Sequence, residues 1–138
     1  MKQNMMLKEN IPYANLIYSA LDLCKIMLAK SAQLFPFAVV SIDNDVQCVF
    51  SQFEGESAQA GMIEELQDQI SNVRLTASNT IGILVYAATV SNPNGNESDA
   101  LVISITDSSG NNTITLYPYT LRDNTVELSS PFTCNFLD

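Results

Sequence analysis

The chain has 138 residues, 46% hydrophobic and 15% charged, and its six basic residues against fifteen acidic ones give a formal net charge of −9. This length and composition indicate one globular domain over residues 1–138 and exclude an intrinsically disordered chain. The absence of histidine excludes a Ser-His-Asp triad, a Cys-His pair and a histidine-based zinc site. The shortage of Lys and Arg argues against nucleic-acid binding.

The N-terminal quarter predicts an arm followed by a helix. Residues 1–11 are polar and are expected to form a flexible arm. Pro12 suits the first position of a helix, and no Gly or Pro interrupts the chain from there to about Gln33. The apolar face of this helix is wider than one sheet contact requires. We therefore expect a homodimer that involves this helix or the arm.

The next segment predicts a hairpin and a second helix. Phe37–Ile42 reads FAVVSI, a buried strand, and Asp43-Asn44-Asp45 marks a turn before a second strand over Val46–Phe53. Ser57 is a candidate N-cap, and apolar residues then recur at helical spacing as far as Val73 or Leu75.

The second half of the chain predicts β-structure. Ile81–Val90 is a nearly continuous apolar strand, Asp99–Thr106 alternates, and Thr113–Leu121 follows a turn at 107–111, with Pro118 marking an edge or a bulge. Residues 122–138 are expected as an irregular tail with short extended pieces at Thr125–Leu128 and Phe132–Phe136. The fold class is α+β: helix, β-hairpin, helix and three-stranded meander, in one antiparallel sheet with the helices mainly on one face.

Three groups of residues are candidate sites, and each also has an ordinary structural interpretation. Asp43 and Asp45 could bind Ca²⁺, but their spacing misses the calcium-loop pattern and suits a turn. Carboxylates near the second helix suit its N-terminus and its solvated face: Glu54, Glu56, Glu64, Glu65 and Asp68. The aromatic groups Phe35-Pro36-Phe37 and Tyr117-Pro118-Tyr119 could form a recognition groove or could only pack. No catalytic, cofactor-binding or metal-binding residue is predicted.

The cysteines and the apolar segments indicate a cytoplasmic protein. Cys24, Cys48 and Cys134 are an odd number without CxxC spacing, which suits a reducing compartment. We expect Cys24 and Cys48 to be buried and inert, and Cys134 to be exposed. The apolar stretch over residues 16–28 is too short and too charged to span a bilayer, and it lacks the features of an export signal.

The sequence also resembles a family of small uncharacterised bacterial proteins. That family has an FPFA strand and turn after a first helix, a DA-x-x-(V/I) strand and a (Y/F)-x-PY strand. The matching residues are Phe35, Pro36, Phe37, Ala38, Asp99, Ala100, Gly110, Tyr117, Pro118 and Tyr119. Asn44-Asp45 departs from the family pattern, which has Gly at the first turn. The resemblance supports the fold and implies no activity.

Three classes of function remain open on these observations. The leading hypothesis is a non-enzymatic protein that binds a protein partner, of a regulatory, immunity or chaperone-like kind. Thirteen of the fifteen acidic residues lie in residues 31–138, so a basic partner would be favoured. The alternatives are a small-ligand binder that uses the Tyr/Pro-lined strand ends, and an enzyme without histidine.

Overall fold

The computed structural model describes residues 14–51, 58–77, 79–91 and 95–134. Over these ranges the chain forms two helices, α1 (Ala14–Ser31) and α2 (Ala58–Thr76), and seven strands. The strands are β1 (Phe37–Ile42), β2 (Asp45–Phe50), β3 (Thr80–Ser91), β4 (Glu97–Thr106), β5 (Asn112–Arg122), β6 (Thr125–Leu128) and β7 (Phe132–Cys134). The arm expected at residues 1–11 lies outside the described ranges.

The strands form one antiparallel sheet in the order β2-β1-β3-β4-β5-β6, and β7 also pairs with β5. The α+β class and the single antiparallel sheet are therefore confirmed. The expected three-stranded meander was too short, because the strands after α2 continue past β5 into β6 and β7. Among the described strands, two paired neighbours are not consecutive in sequence: β5 with β7, and β1 with β3, which pair from Phe37 opposite Val85 to Ile42 opposite Thr80.

The two helices lie on opposite faces of the sheet, so the expectation that they share one face was wrong. Helix α1 packs its buried side chains, among them Cys24 and Leu28, on a cluster that includes Phe37, Val39 and Ile83. Helix α2 packs Leu66 and Ile70 on a separate cluster formed by the alternate residues Ala38, Val40 and Leu84. Successive residues of a strand point to opposite faces. Strands β1 and β3 are apolar at both sets of positions, so each face needs its own helix.

Two-residue turns close two of the hairpins. Asp43 and Asn44 join β1 to β2, and Asp123 and Asn124 join β5 to β6. All four have positive φ, between 50° and 71°. Positive φ at both central residues is the mark of a type I′ turn, whose twist matches that of paired strands. Asp and Asn tolerate this conformation better than most residues, which explains why the Asp-Asn pair occurs twice.

The segment expected as an irregular tail with short extended pieces contains two short strands before residue 135, separated by residues 129–131, which have no regular structure. The extended piece at Thr125–Leu128 is confirmed as β6, and the second piece is β7 over 132–134. Both strands pair with β5, and the register shifts by one residue between them. Pro118 lies beside this interruption and accepts a hydrogen bond from the Ser129 nitrogen at 2.8 Å. Proline has no backbone N–H to donate, and at Pro118 the neighbouring strand is interrupted, so no ladder hydrogen bond is lost there. This agrees with the bulge that was one of the two alternatives predicted for Pro118.

Most predicted bounds agree with the structure to within about two residues. β1 has the predicted bounds, whereas β2 ends at Phe50, three residues before the predicted end at Phe53. Helix α1 ends at Ser31, and Ala32 follows with a φ of 58°. No helix in the described ranges is long and apolar enough to cross a membrane.

Candidate functional site

The two aromatic groups are mainly packing residues. Phe37 is fully buried, and its ring lies 5.8 Å from that of Phe50 on β2. Tyr117 and Tyr119 pack on the α1 cluster, and burial raises the pKa of both hydroxyls. Pro118 is buried on the opposite face of β5. The structure therefore does not make one groove from the six residues.

Three of these aromatic and proline residues do line one cleft, which lies next to the first residue of β1. Phe35, Pro36 and Tyr119 border a space of about 440 Å³ between the end of α1 and the start of α2. Strand β3 continues past β1 here, and no other described strand pairs with this part of its edge. The Gln59 side chain of α2 donates to the Ala87 carbonyl at 2.9 Å and satisfies one exposed edge group. We call this space the aromatic cleft.

The acidic turn at Asp43-Asn44-Asp45 is the tight turn of the β1–β2 hairpin. Its backbone is tied to the sheet because the Asp43 nitrogen donates to the Asn79 carbonyl at 3.0 Å. The described residues contain no grouping of three or more Cys, Asp or Glu side chains that could hold a metal ion.

The acidic residues of α2 are not equivalent. Glu64 and Asp68 are exposed. Glu65 is partly buried and accepts hydrogen bonds from Ser51 Oγ at 3.0 Å and from Gln69 Nε2 at 3.4 Å. Glu65 therefore links α2 to the end of β2 and is not an ordinary solvated charge. Glu54 and Glu56 lie outside the described residues.

The cysteines follow the expectation only in part. Cys24 lies on α1 and is fully buried in the core. Burial raises the pKa of its thiol to about 12, so the thiol is inert as expected. Cys48 was expected to be buried, but it is a free thiol exposed on β2. The physical reason is its position on the outermost strand, where nothing in the described ranges covers it. The side chain of Cys134 lies outside the described residues.

Helix α1 uses most of its wide apolar face within the fold. Its flanking residues pack, partly buried, on the core cluster: Leu16, Ile17, Leu23 and Met27. Tyr18 and Ile26 are the large apolar side chains of α1 that stay mostly exposed, at 62% and 54%. The width of the apolar face is therefore explained largely by contacts with the sheet.

An exposed apolar row lies instead on β2, which is an edge strand. Val46, Cys48 and Phe50 occupy alternate positions of β2 and so share one face of the sheet. Val46 and Phe50 are 49% and 50% exposed, and Cys48 is also exposed. Sequence reasoning expected Cys48 to be buried, because the alternation of polar and apolar residues along this strand does not reveal an edge position.

A second cleft, which sequence reasoning missed, lies between α2 and the polar end of the sheet. Its volume is about 410 Å³, and Arg74 of α2 faces Ser104, Thr106 and Asn112 of β4 and β5 across it. The only sequence signal was that Ser104 and Thr106 interrupt the apolar pattern of β4. We call this space the Arg74 cleft.

Comparisons of the chain with protein-family models, with curated proteins and with solved structures gave no match. The resemblance to the FPFA family stays a prediction, and function has to be inferred from the geometry of the chain.

Proposed function

We propose that this chain is a small non-enzymatic cytoplasmic protein that acts by binding protein, and that the edge strand β2 is its binding surface. The main support for this proposal is the exposed row of Val46, Cys48 and Phe50. These residues lie on a strand that, within the described residues, pairs with another strand on one side only. A free sheet edge with apolar side chains is a template for pairing with another strand. The free thiols of Cys24 and Cys48 suit a reducing compartment.

The backbone geometry identifies which groups of β2 are available. The Asp43 nitrogen donates to the carbonyl of Asn79, directly before β3, so alternate residues of β1 starting at Ser41 direct their backbone groups towards β3. The intervening residues of β1 bond to Asp45, Gln47 and Val49 of β2. It follows that Val46, Cys48 and Phe50 direct their N–H and C=O groups away from the sheet.

These groups fit a second copy of the same strand, which is the occupant we propose. In an antiparallel arrangement with a two-fold axis at Cys48, Cys48 lies opposite Cys48 of the second copy, and Val46 lies opposite Phe50 of the second copy. All three outward-facing residues then form hydrogen-bonded pairs, and their side chains meet on one face. Centring the axis on Gln47 would use only two of the three and would place Asp45 opposite Val49. We therefore propose β2 as the interface of the homodimer that the sequence predicts through the first helix or the arm.

Site-directed cross-linking tests this arrangement. In a Cys134→Ser background, mild oxidation should give a covalent dimer through Cys48, because Cα atoms of such a pair are about 5.5 Å apart and within disulfide range. Cys48→Ser should abolish the product, since Cys24 is buried. Val46→Lys should give a monomer in light scattering, whereas Gln47→Lys, with the same charge change on the other face, should stay dimeric. A wild-type monomer at tens of micromolar, or cross-linking without Cys48, would refute the interface.

The acidic surface supports a basic protein as a further partner of this complex. The field of residues 31–138 should accelerate association with a basic protein, and added salt should slow it. Glu64→Gln together with Asp68→Asn should slow association measured by stopped flow and leave the unfolding free energy nearly unchanged. Glu65 is left unchanged in this variant because it accepts a hydrogen bond from Ser51. An association rate independent of salt would show that the acidity does not steer binding.

A second candidate function, small-ligand binding, is favoured by the aromatic cleft. Phe35 is 51% exposed beside Pro36 and Tyr119. An NMR screen of small aromatic fragments tests this function. Binders should shift the ring signals of Phe35 and Tyr119, and Phe35→Ala should weaken the binding. Shifts that survive Phe35→Ala unchanged would exclude this cleft.

A further inference from the structure

The Arg74 cleft contains a guanidinium group whose buried Nε donor has no partner among the described residues. This Nε atom lies in the interior, where no described residue supplies a hydrogen-bond acceptor to it. An arginine side chain has five N–H donors, and buried donors of this kind are almost always paired. The unused Nε donor therefore marks a position where an acceptor from outside the chain would be stabilised.

The turn between β4 and β5 holds this guanidinium at the cleft. Arg74 Nη2 lies 3.0 Å from the position that a Cβ atom would occupy on Gly110. Gly110 also has a φ of 92°, a conformation that residues with side chains rarely adopt. Glycine thus allows the turn to form and the guanidinium to approach its backbone closely.

The opposite wall of the cleft supplies two more donors. Asn112 Nδ2 donates to Ser104 Oγ at 3.0 Å, to Thr106 Oγ1 at 2.9 Å and to the Ile105 carbonyl at 3.2 Å. Because both hydroxyl oxygens accept from Asn112, their own hydrogens remain free to donate. Neither hydroxyl donates a hydrogen bond to another described residue. The amide thereby orients two hydroxyl donors on the wall facing Arg74.

We propose that the Arg74 cleft is a binding site for a small molecule that carries one carboxylate group. A carboxylate matches the planar fork of arginine and can also accept from Ser104 or Thr106. Asp68 at the same cleft, and the net charge of −9, disfavour a phosphate dianion. The volume of about 410 Å³ lies in the range of small-molecule sites. This site is on the α2 face of the sheet and does not depend on the proposed β2 interface.

NMR titration with acetate tests the proposal, because the chain has only two arginines, Arg74 and Arg122. The side-chain Nε–Hε signal of Arg74 and the Asn112 amide signal should shift in a saturable manner, while the Arg122 signal should not. Arg74→Gln should weaken acetate binding about tenfold or more, since a charged hydrogen bond is lost. Arg122→Gln makes the same charge change on an exposed strand residue and should leave the binding unchanged.

Two further measurements make the outcome decisive. Thr106→Val should weaken acetate binding without moving the free Arg74 signal, because it removes a donor from the opposite wall only. Phosphate at matched ionic strength should shift Arg74 less than acetate does. Equal shifts at both arginines, no saturable shift at Arg74, or a stronger response to phosphate would each overturn the carboxylate site. Unfolding curves for each variant establish that it is folded under the titration conditions.

Discussion

The contact between Gly82 and Ile70 allows a sharp test of how α2 lies on the sheet. A Cβ atom at Gly82 would overlap Ile70 Cγ2, and the three nearest atoms all belong to Ile70. Ile70 is β-branched and 7% exposed, so this methyl group cannot easily turn away. Gly82→Ala should therefore introduce overpacking that costs about 1–3 kcal/mol. Against this, Ala in a strand is favoured over Gly by about 0.5–1 kcal/mol.

The effect should reverse when the obstructing side chain is removed. Ile70→Ala alone should cost about 2–5 kcal/mol. In that background, Gly82→Ala should be stabilising by about 0.5–1 kcal/mol, because the overlap is gone and only the strand preference remains. The coupling energy of the double-mutant cycle should thus be about 1–3 kcal/mol.

Urea unfolding of the four proteins measures this coupling. Ile63→Ala is the matched control, since Ile63 packs on the same α2 cluster but is not among the atoms nearest Gly82. Gly82→Ala should stay destabilising in the Ile63→Ala background. If Gly82→Ala had the same effect with and without Ile70, the placement of α2 against β3 would be wrong.

Other predictions concern the thiols and the β4–β5 turn. In native protein at pH 8, a thiol reagent should modify Cys48 rapidly and Cys24 only on unfolding, as peptide mapping would show. Because burial raises the Cys24 pKa from 9.0 to about 12, its contribution to stability is complete below pH 9 and is lost as pH rises towards 12; Cys24→Ala should flatten that part of the stability profile. Asp107 accepts hydrogen bonds from the Asn111 and Ser109 nitrogens at 2.9 Å, which lower its pKa. Asp107→Ala should lower the unfolding free energy at pH 7, and the difference from wild type should shrink as pH falls below 3.8. A difference that persists unchanged at low pH would contradict the role of the carboxylate.

Much of the fold followed from local patterns. The apolar run at Phe37–Ile42 and the Asp-Asn pair after it define a strand and a turn without help from the rest of the chain. The faces of the sheet on which the helices pack could not be read from the helices themselves, but the strands carried a signal. The continuous apolar runs in β1 and β3 are typical of strands covered on both faces. The prediction of helices mainly on one face did not take account of this signal.

The candidate sites were less accessible to sequence reasoning. Arg74 and Asn112 are far apart in the chain, and only the packing of α2 over β4 and β5 brings them to one cleft. Pattern analysis also could not distinguish an edge strand from an inner one, because pairing partners are set by contacts distant in sequence. Cys48 was therefore expected in the interior.

The order of strands in the sheet has a consequence for how the chain folds. β3, β4, β5 and β6 pair only through short connections, so this part can form by local steps. The β1–β2 hairpin joins it only through β1 and β3, and that pairing must close a loop that contains β2 and all of α2. We expect that closure to limit the folding rate, with substitutions at the β1–β3 junction, such as Val39→Ala, slowing folding more than those at β6. Until the two parts meet, the apolar edge of β3 is open to other chains, so aggregation during refolding should increase with any change that delays this one pairing.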